Sequence, residues 1–256
     1  MDRVREPLPT RVADTPDLPA AYRAAVDAGL AALGLTLAPA ARSAIDGHIR
    51  LLLRWTSAIN LTAVRDPVAA ATTHVLDSLS AVPLLRSWGT DRFMDLGSGG
   101  GLPGIPLAAA LPAAGLLVDS VGKKGRFLET VAAAVGLENR VTVAVTRAEA
   151  LGRDPDHRGR WPVVTARAVA PLADLVEVAL PLLVEGGRLV AWKRGDLGDE
   201  LRGAESPIRA LGGASIDVSD VAIPGLIGHR LVTVTRLGRV PDGYPRDRVR
   251  RRRDLP

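Results

Sequence analysis

Apolar positions along this chain change their rhythm twice, and the changes divide it into zones. Up to about Ala20, four prolines and scattered charges give no period at all, which reads as a disordered leader over 1–20. From 21 to 34 and again from 39 to 59, apolar residues recur at helical spacing. Ile45, Ile49, Leu52, Leu53, Trp55 and Ile59 make the second stripe, and Pro39 suits a first helical turn. Asn60-Leu61-Thr62 breaks the pattern. A third helix is expected over about 67–85, with His74, Asp77 and Ser78 on one face through their three- and four-residue spacings. Residues 21–90 therefore predict a helical cap.

Beyond residue 90 the period shortens. Apolar runs at 92–96, 115–119, 141–145, 163–166 and 188–192 read as strands, separated by helical stretches such as 126–135 and 172–183. Strand and helix in alternation predict a parallel sheet wound on both faces. Two last strand candidates, 215–223 and 230–236, are joined by Pro224-Gly225-Leu226-Ile227-Gly228-His229, too short for a crossover helix, and should pair antiparallel. Five wound strands closed by an antiparallel hairpin resemble the class I methyltransferase arrangement, whereas a nicotinamide-binding sheet usually stays parallel. The expected fold is an α/β, Rossmann-like, doubly wound domain over 91–240, preceded by the cap and followed by a basic, disordered tail over 241–256.

Composition narrows the picture. With 47% hydrophobic and 24% charged residues the body should fold. The absence of cysteine excludes disulfides, thiolate metal sites and cysteine nucleophiles. The opening stretch MDRVREPLPT lacks the apolar core of a signal peptide, and no run approaches the roughly 20 uninterrupted apolar residues of a membrane span. A cytoplasmic protein without a membrane partner is expected. The net charge of +5 is concentrated at the end, where six arginines between Arg246 and Pro256 face two aspartates. Such a run grips phosphates or is simply a solvated tail.

The chemistry is concentrated around one turn. Residues 97–104 hold five glycines directly after the first strand, where a nucleotide-like cofactor needs close backbone approach. Gly99, Gly101 and Gly104 also fit a dinucleotide fingerprint, a weak match when it stands alone. Asp95, just before the first glycine, favours S-adenosyl-L-methionine, because a carboxylate suits a cationic amino group and repels a pyrophosphate. Asp119, ending the second strand, is placed for ribose hydroxyls. Glu149 follows the third strand, near the expected adenine edge.

The segments 60–67 (NLTAVRDP), 74–78 (HVLDS), 95–106 (DLGSGGGLPGIP), 119–128 (DSVGKKGRFL) and 165–168 (TARA) resemble, in this order, the bacterial RsmG (GidB) family. Those enzymes methylate guanine N7 in the 530 loop of 16S ribosomal RNA. The resemblance runs from about Leu30 to Leu237. It implies that Asp95, Gly97, Gly99, Leu102, Asp119, Ala148, Glu149 and Arg167 form the cofactor site. Within it, Gly97 and Leu102 meet the cofactor through the first turn, and Ala148 and Glu149 border its adenine. Many relatives carry Pro where this chain has Gly100. The implied partner is 16S rRNA or the small ribosomal subunit, and a monomer without metal is expected.

Guanine N7 has a free lone pair and no proton, so alignment rather than a general base is the expected task. Arg167 is the candidate catalytic residue, positioning either guanine O6, a flanking phosphate or the cofactor's carboxylate. Lys123, Lys124, Arg126 and Lys193 are candidate RNA contacts, although a solvated helix start explains the first three nearly as well. His74, Asp77 and Ser78 read as a polar cluster joining the cap to the catalytic domain, not as a hydrolytic triad. The four histidines are too scattered for a metal site. Two other readings stay open: the same cofactor with another RNA, protein or small-molecule acceptor, and a catalytically silent RNA-binding module.

Overall fold

The computed structural model describes residues 7–246. Helices α1 (Ala20–Ala32) and α2 (Pro39–Ile59) form where the helical stripes stand, with Pro39 in the first turn of α2 and Asn60, at φ +50°, ending it. The stripe turns inward: Ile45, Ile49 and Leu52 are fully buried, each worth roughly 1.5–3 kcal/mol.

Two elements depart from the expected pattern. Residues 9–18 are not a loose leader but lie along α2. Trp55 Nε1 donates to Pro9 O at 2.7 Å, Arg50 donates to Thr15 and pairs with Asp17 at 2.9 Å, and Leu18 is buried. Prolines remove donors but keep carbonyls, so an aperiodic segment still satisfies the donors of a helix beside it. Residues 1–6 lie outside the described part. The third helix is also broken. Asp66 caps α3 (Pro67–Ala70), Ala71–Leu76 form a π-helical turn, and α4 (Asp77–Leu79) ends before α5 (Val82–Ser87). Pro83 in the first turn of α5 has no N–H to continue the earlier helix. The stretch Pro67–Ser87 is apolar enough to cross a bilayer by length and composition, yet 67% of its most apolar window is buried inside the protein.

The wound domain's elements follow as β1 (Arg92–Leu96), α6 (Gly104–Ala110), β2 (Ala114–Asp119), α7 (Gly122–Ala134), β3 (Val141–Val145), α8 (Ala148–Arg153), β4 (Trp161–Arg167), α9 (Leu172–Ala179), β5 (Leu183–Arg194), α10 (Gly198–Ala210), β6 (Gly213–Asp220) and β7 (His229–Arg236). They build a seven-stranded sheet ordered β3-β2-β1-β4-β5-β7-β6. The first five strands are parallel, and β7 runs antiparallel between β5 and β6. Side chains alternate across β1: Phe93 joins the core made with the cap, α6 and α7, while Met94 and Leu96 join the core made with α9 and α10. The winding reverses between β1 and β4, which opens a crevice at their carboxyl ends.

The tail begins attached. Arg246 pairs with buried Glu177 at 2.7 Å, and its backbone N–H donates to the same carboxylate at 2.8 Å. The arginines at 248 and 250–253, expected as a phosphate-gripping or solvated run, lie outside the described residues.

Candidate functional site

The crevice is a cleft of about 560 Å³ whose wall includes Gly97, Asp119, Lys124, Ala148, Glu149 and Asp174. That volume suits a nucleoside-sized ligand. Gly97 has φ +67°, and a Cβ there would lie 2.8 Å from Val169 Cγ2, so only glycine keeps this stretch of wall open. Asp119 Oδ2 accepts from Gly99 N at 3.0 Å and Oδ1 accepts from Val121 N at 2.9 Å. These bonds fix the carboxylate while each oxygen keeps a lone pair for a ligand hydroxyl. Lys124 Nζ lies 3.8 Å from Asp119 Oδ2, so this lysine faces the cleft, whereas Lys123 and Arg126 are exposed on α7.

Asp95 sits beneath the turn rather than on the wall. Its side chain is fully buried, Thr165 Oγ1 donates to its Oδ1 at 2.8 Å, and Oδ2 has no partner. Burial lifts its pKa to about 6. A Cβ on Gly104 would come within 2.9 Å of Oδ2, so this glycine permits the close approach of α6 to the carboxylate. Ser98 stitches the same turn down, donating to Asp95 O at 2.8 Å and accepting from Val118 N at 3.2 Å. Of the two expected modes for Asp95, direct or through water, this buried place disfavours a direct grip on an amino group. Leu102 likewise points into the core between cap and sheet.

A residue given no such role from sequence closes the turn from the cap. His48 on α2 is fully buried and its Nε2 donates to Gly100 O at 2.7 Å. Burial drives its pKa down to about 4, so the ring is neutral, and Nδ1 has no partner. The signal for it is a polar side chain set within an apolar helical stripe, among Ile45, Ile49 and Leu52.

A second cluster is organised by Asp77; Arg167, expected in the cofactor site, belongs to it and does not line the cleft, whose wall resumes at Ala168. Arg167 Nη1, from the end of β4, donates to Asp77 Oδ2 at 2.9 Å and to Thr73 O at 3.2 Å. His229 Nδ1, opening β7, meets Asp77 Oδ1 at 2.9 Å, and Trp192 Nε1 of β5 donates to Asp77 O at 2.6 Å. Of the expected polar cluster, Asp77 does join cap to sheet. His74 instead bonds Thr62 Oγ1 within the cap at 2.7 Å, and Ser78 donates to His74 O at 2.6 Å. Burial, and then the Arg167 charge, lowers the His74 pKa to about 4.

Lys193, expected as an RNA contact, is engaged within the protein. Its ammonium donates to Ala170 O at 2.8 Å and pairs with Glu200 at 2.5 Å, and Glu200 accepts from Leu172 N at 2.7 Å. It braces the 168–171 segment, which begins at Ala168 with φ +55° and forms part of the cleft wall. Such a backbone angle in a non-glycine residue costs about 1–3 kcal/mol and persists only where its surroundings impose it. The structure thus brings Gly97, Asp119, Ala148 and Glu149 together at one cleft. It also adds wall residues missed from sequence, among them Thr146, Arg147 and Asp174.

Residues 42–223 match the family described as GidB, rRNA small subunit methyltransferase G. The ribosomal RNA small subunit methyltransferase G of Roseiflexus castenholzii is 45% identical over 76% of this chain and 83% of its own length. The protein of the same name from Symbiobacterium thermophilum is 38% identical over 88% and 94%. Among solved structures, an S-adenosylmethionine-dependent O-methyltransferase from Thermotoga maritima shares the fold at 15% identity, with a TM-score of 0.50 over 74% of this chain and 72% of that one. Sequence match, sheet order and glycine-turned cleft agree, and this chain belongs to the rRNA small subunit methyltransferase G family.

Proposed function

We propose that this chain transfers the methyl group of S-adenosyl-L-methionine to N7 of a guanine in the 530 loop of 16S ribosomal RNA. The observation that carries the reading is the cleft at the carboxyl ends of β1–β4, in a chain belonging to this family. When bound, the cofactor supplies an electrophilic methyl group on a sulfonium.

The residues present fit such a ligand. Gly97 keeps the wall open, Asp119 offers its spare lone pairs to ribose hydroxyls, and Ala148 and Glu149 stand where the adenine edge would lie. Asp95, with a pKa near 6, is mostly ionised at neutral pH and places negative charge beneath the turn. On the wall Asp119, Glu149 and Asp174 outnumber Lys124 and Arg147, and with Asp95 beneath them the balance favours a cationic ligand over a pyrophosphate. Gly99 presents its amide to Asp119, so its part in the cofactor site is to fix that carboxylate.

Because N7 carries no proton, the chain's work on the acceptor is alignment, and positioning of two bound reactants supplies several kcal/mol of the barrier. Arg167 is the positioning group on that side. Lys123 and Arg126, exposed beside the cleft on α7, are the phosphate contacts. A ribosomal substrate puts the enzyme in the cytoplasm.

The test is transfer of labelled methyl from the cofactor to small subunits lacking this modification, followed by mapping of the modified base. Label at N7 of the 530-loop guanine is expected. Cofactor binding without transfer to either the particle or its naked RNA would refute the acceptor.

A further inference from the structure

We propose that Asp77 is a positioning residue for Arg167, assisted by His229, so that the helical cap and the terminal hairpin are working parts of the acceptor side. The proposal rests on Arg167 being the positioning group of that side. Asp77 is 4% exposed, and it is met by three adjacent strands at once: Arg167 from β4, Trp192 from β5 and His229 from β7. A buried carboxylate is costly unless it is paired, and an apolar contact would dock the cap at least as well. What the polar arrangement adds is orientation.

That orientation is specific to one edge of the guanidinium. Nη1 makes both protein bonds, to Asp77 Oδ2 and Thr73 O, while Nε and Nη2 have no partner among the described residues. With Nη1 held, the opposite fork of the planar group keeps a fixed direction and suits an oxygen acceptor of the bound reactants. His229 donates through Nδ1 to the other Asp77 oxygen, which holds the carboxylate plane in place. The π-helical turn Ala71–Leu76 contributes Thr73 O and leads directly into Asp77, so the cap supplies both anchors.

The test combines cofactor binding by calorimetry with single-turnover methyl transfer at saturating cofactor, for Arg167→Ala, Asp77→Asn, the double variant, His229→Phe and His229→Asn. Arg167→Ala and isosteric Asp77→Asn are each expected to slow transfer by about a hundredfold. The double variant should lie within about threefold of Arg167→Ala alone, since Asp77 acts through that arginine. His229→Phe should slow transfer about tenfold more than His229→Asn, whose amide donates to the same oxygen. A loss confined to cofactor affinity, with normal transfer at saturating cofactor, would assign the fork to the cofactor's carboxylate and overturn the acceptor-side role. A loss of rate at saturating cofactor would place the fork's acceptor on the RNA.

Additive losses in the double variant, or normal transfer by Asp77→Asn beside a crippled Arg167→Ala, would overturn the proposal. Normal transfer by Arg167→Ala would refute the positioning role of that arginine and this inference with it, while leaving cofactor and acceptor as proposed. Melting curves accompany every variant. Should Asp77→Asn fail to fold, equal rates for His229→Phe and His229→Asn would also overturn the proposal.

Discussion

The two halves of the sheet's carboxyl edge are built by different means. On the β1–β3 side most bonds tie backbone to nearby groups: Asp119 binds the Val121 and Gly99 amides, two and twenty positions away, and Ser98 binds Asp95 O, while His48 and Thr165 reach the turn from 52 and 70 positions away. On the β4, β5 and β7 side the bonds come from side chains reaching 90, 115 and 152 positions back to one aspartate in the cap. The first half follows mainly from one turn and its neighbouring strand end, with two longer-range bonds closing it. The second exists only once cap, sheet and hairpin have come together, against the closure entropy of long loops. Damage should therefore sort by side: the glycine turn governs cofactor affinity, and the Asp77 joint governs transfer.

Acid should strain both halves at once and has the largest expected effect. His48 and His74 are held neutral by burial, near 4 against an ordinary 6.5. Their contribution is full above about 6.5 and is lost as pH falls toward 4, on the order of 3 kcal/mol for each ring. Asp95, raised to about 6, works in the opposite direction, because its protonation favours the folded state as pH falls below 6. Two groups oppose one, so the melting temperature should drop between pH 6.5 and 4. His48→Gln and His74→Gln should each flatten that slope, and an unchanged slope in both would show that the rings are charged in the folded protein.

Gly97→Ala should come next. The positive φ and the 2.8 Å approach to Val169 predict cofactor affinity weakened about a hundredfold with folding retained, measured by calorimetry. Trp192→Phe keeps an aromatic ring in the core and deletes the indole donor to Asp77 O, at the cost of some packing volume. Transfer should slow about tenfold with cofactor affinity within twofold, a split that would sharpen the contrast between the halves. An equal loss of both would erase it. The smallest effect concerns neither half: removing residues 247–256 takes away five arginines. A tail that grips phosphate would then flatten the salt dependence of RNA binding by up to about one log-log unit for each phosphate it had neutralised. An unaltered slope would leave it a passive tail.

Legibility in the sequence follows the same division. The strand positions, the terminal hairpin, the glycine turn and Asp119 are all readable, because each is a local pattern of period or turn chemistry. Gly97, with a strand before it and a helix after, needs no knowledge of distant residues. Asp77 is marked by its helix face as a joint between cap and sheet, but its partners His229 and Trp192 carry no such mark, since each is an ordinary polar or aromatic residue until three strands converge on one helix. Lys193 misleads for a related reason. A cation after a strand suggests an outward phosphate contact, and only the fold reveals that Glu200 and Ala170 occupy it. The leader looks disordered because its order is borrowed from Arg50 and Trp55 of α2 rather than from any rhythm of its own.

The π-helical turn in the cap gives this site an unusual sensitivity to length. A π turn holds about one residue more than an α turn, and each residue advances an α-helix by about 100°. Asp77 therefore faces the sheet because the helix before it carries that surplus. Deleting one residue from 71–76 would let the segment relax into continuous α-helix and swing the carboxylate about a quarter turn from Arg167. Conservative substitutions in the same stretch would leave the phase intact. For this region, insertions and deletions are the mutations that matter most, and natural variation should change its letters far more readily than its count.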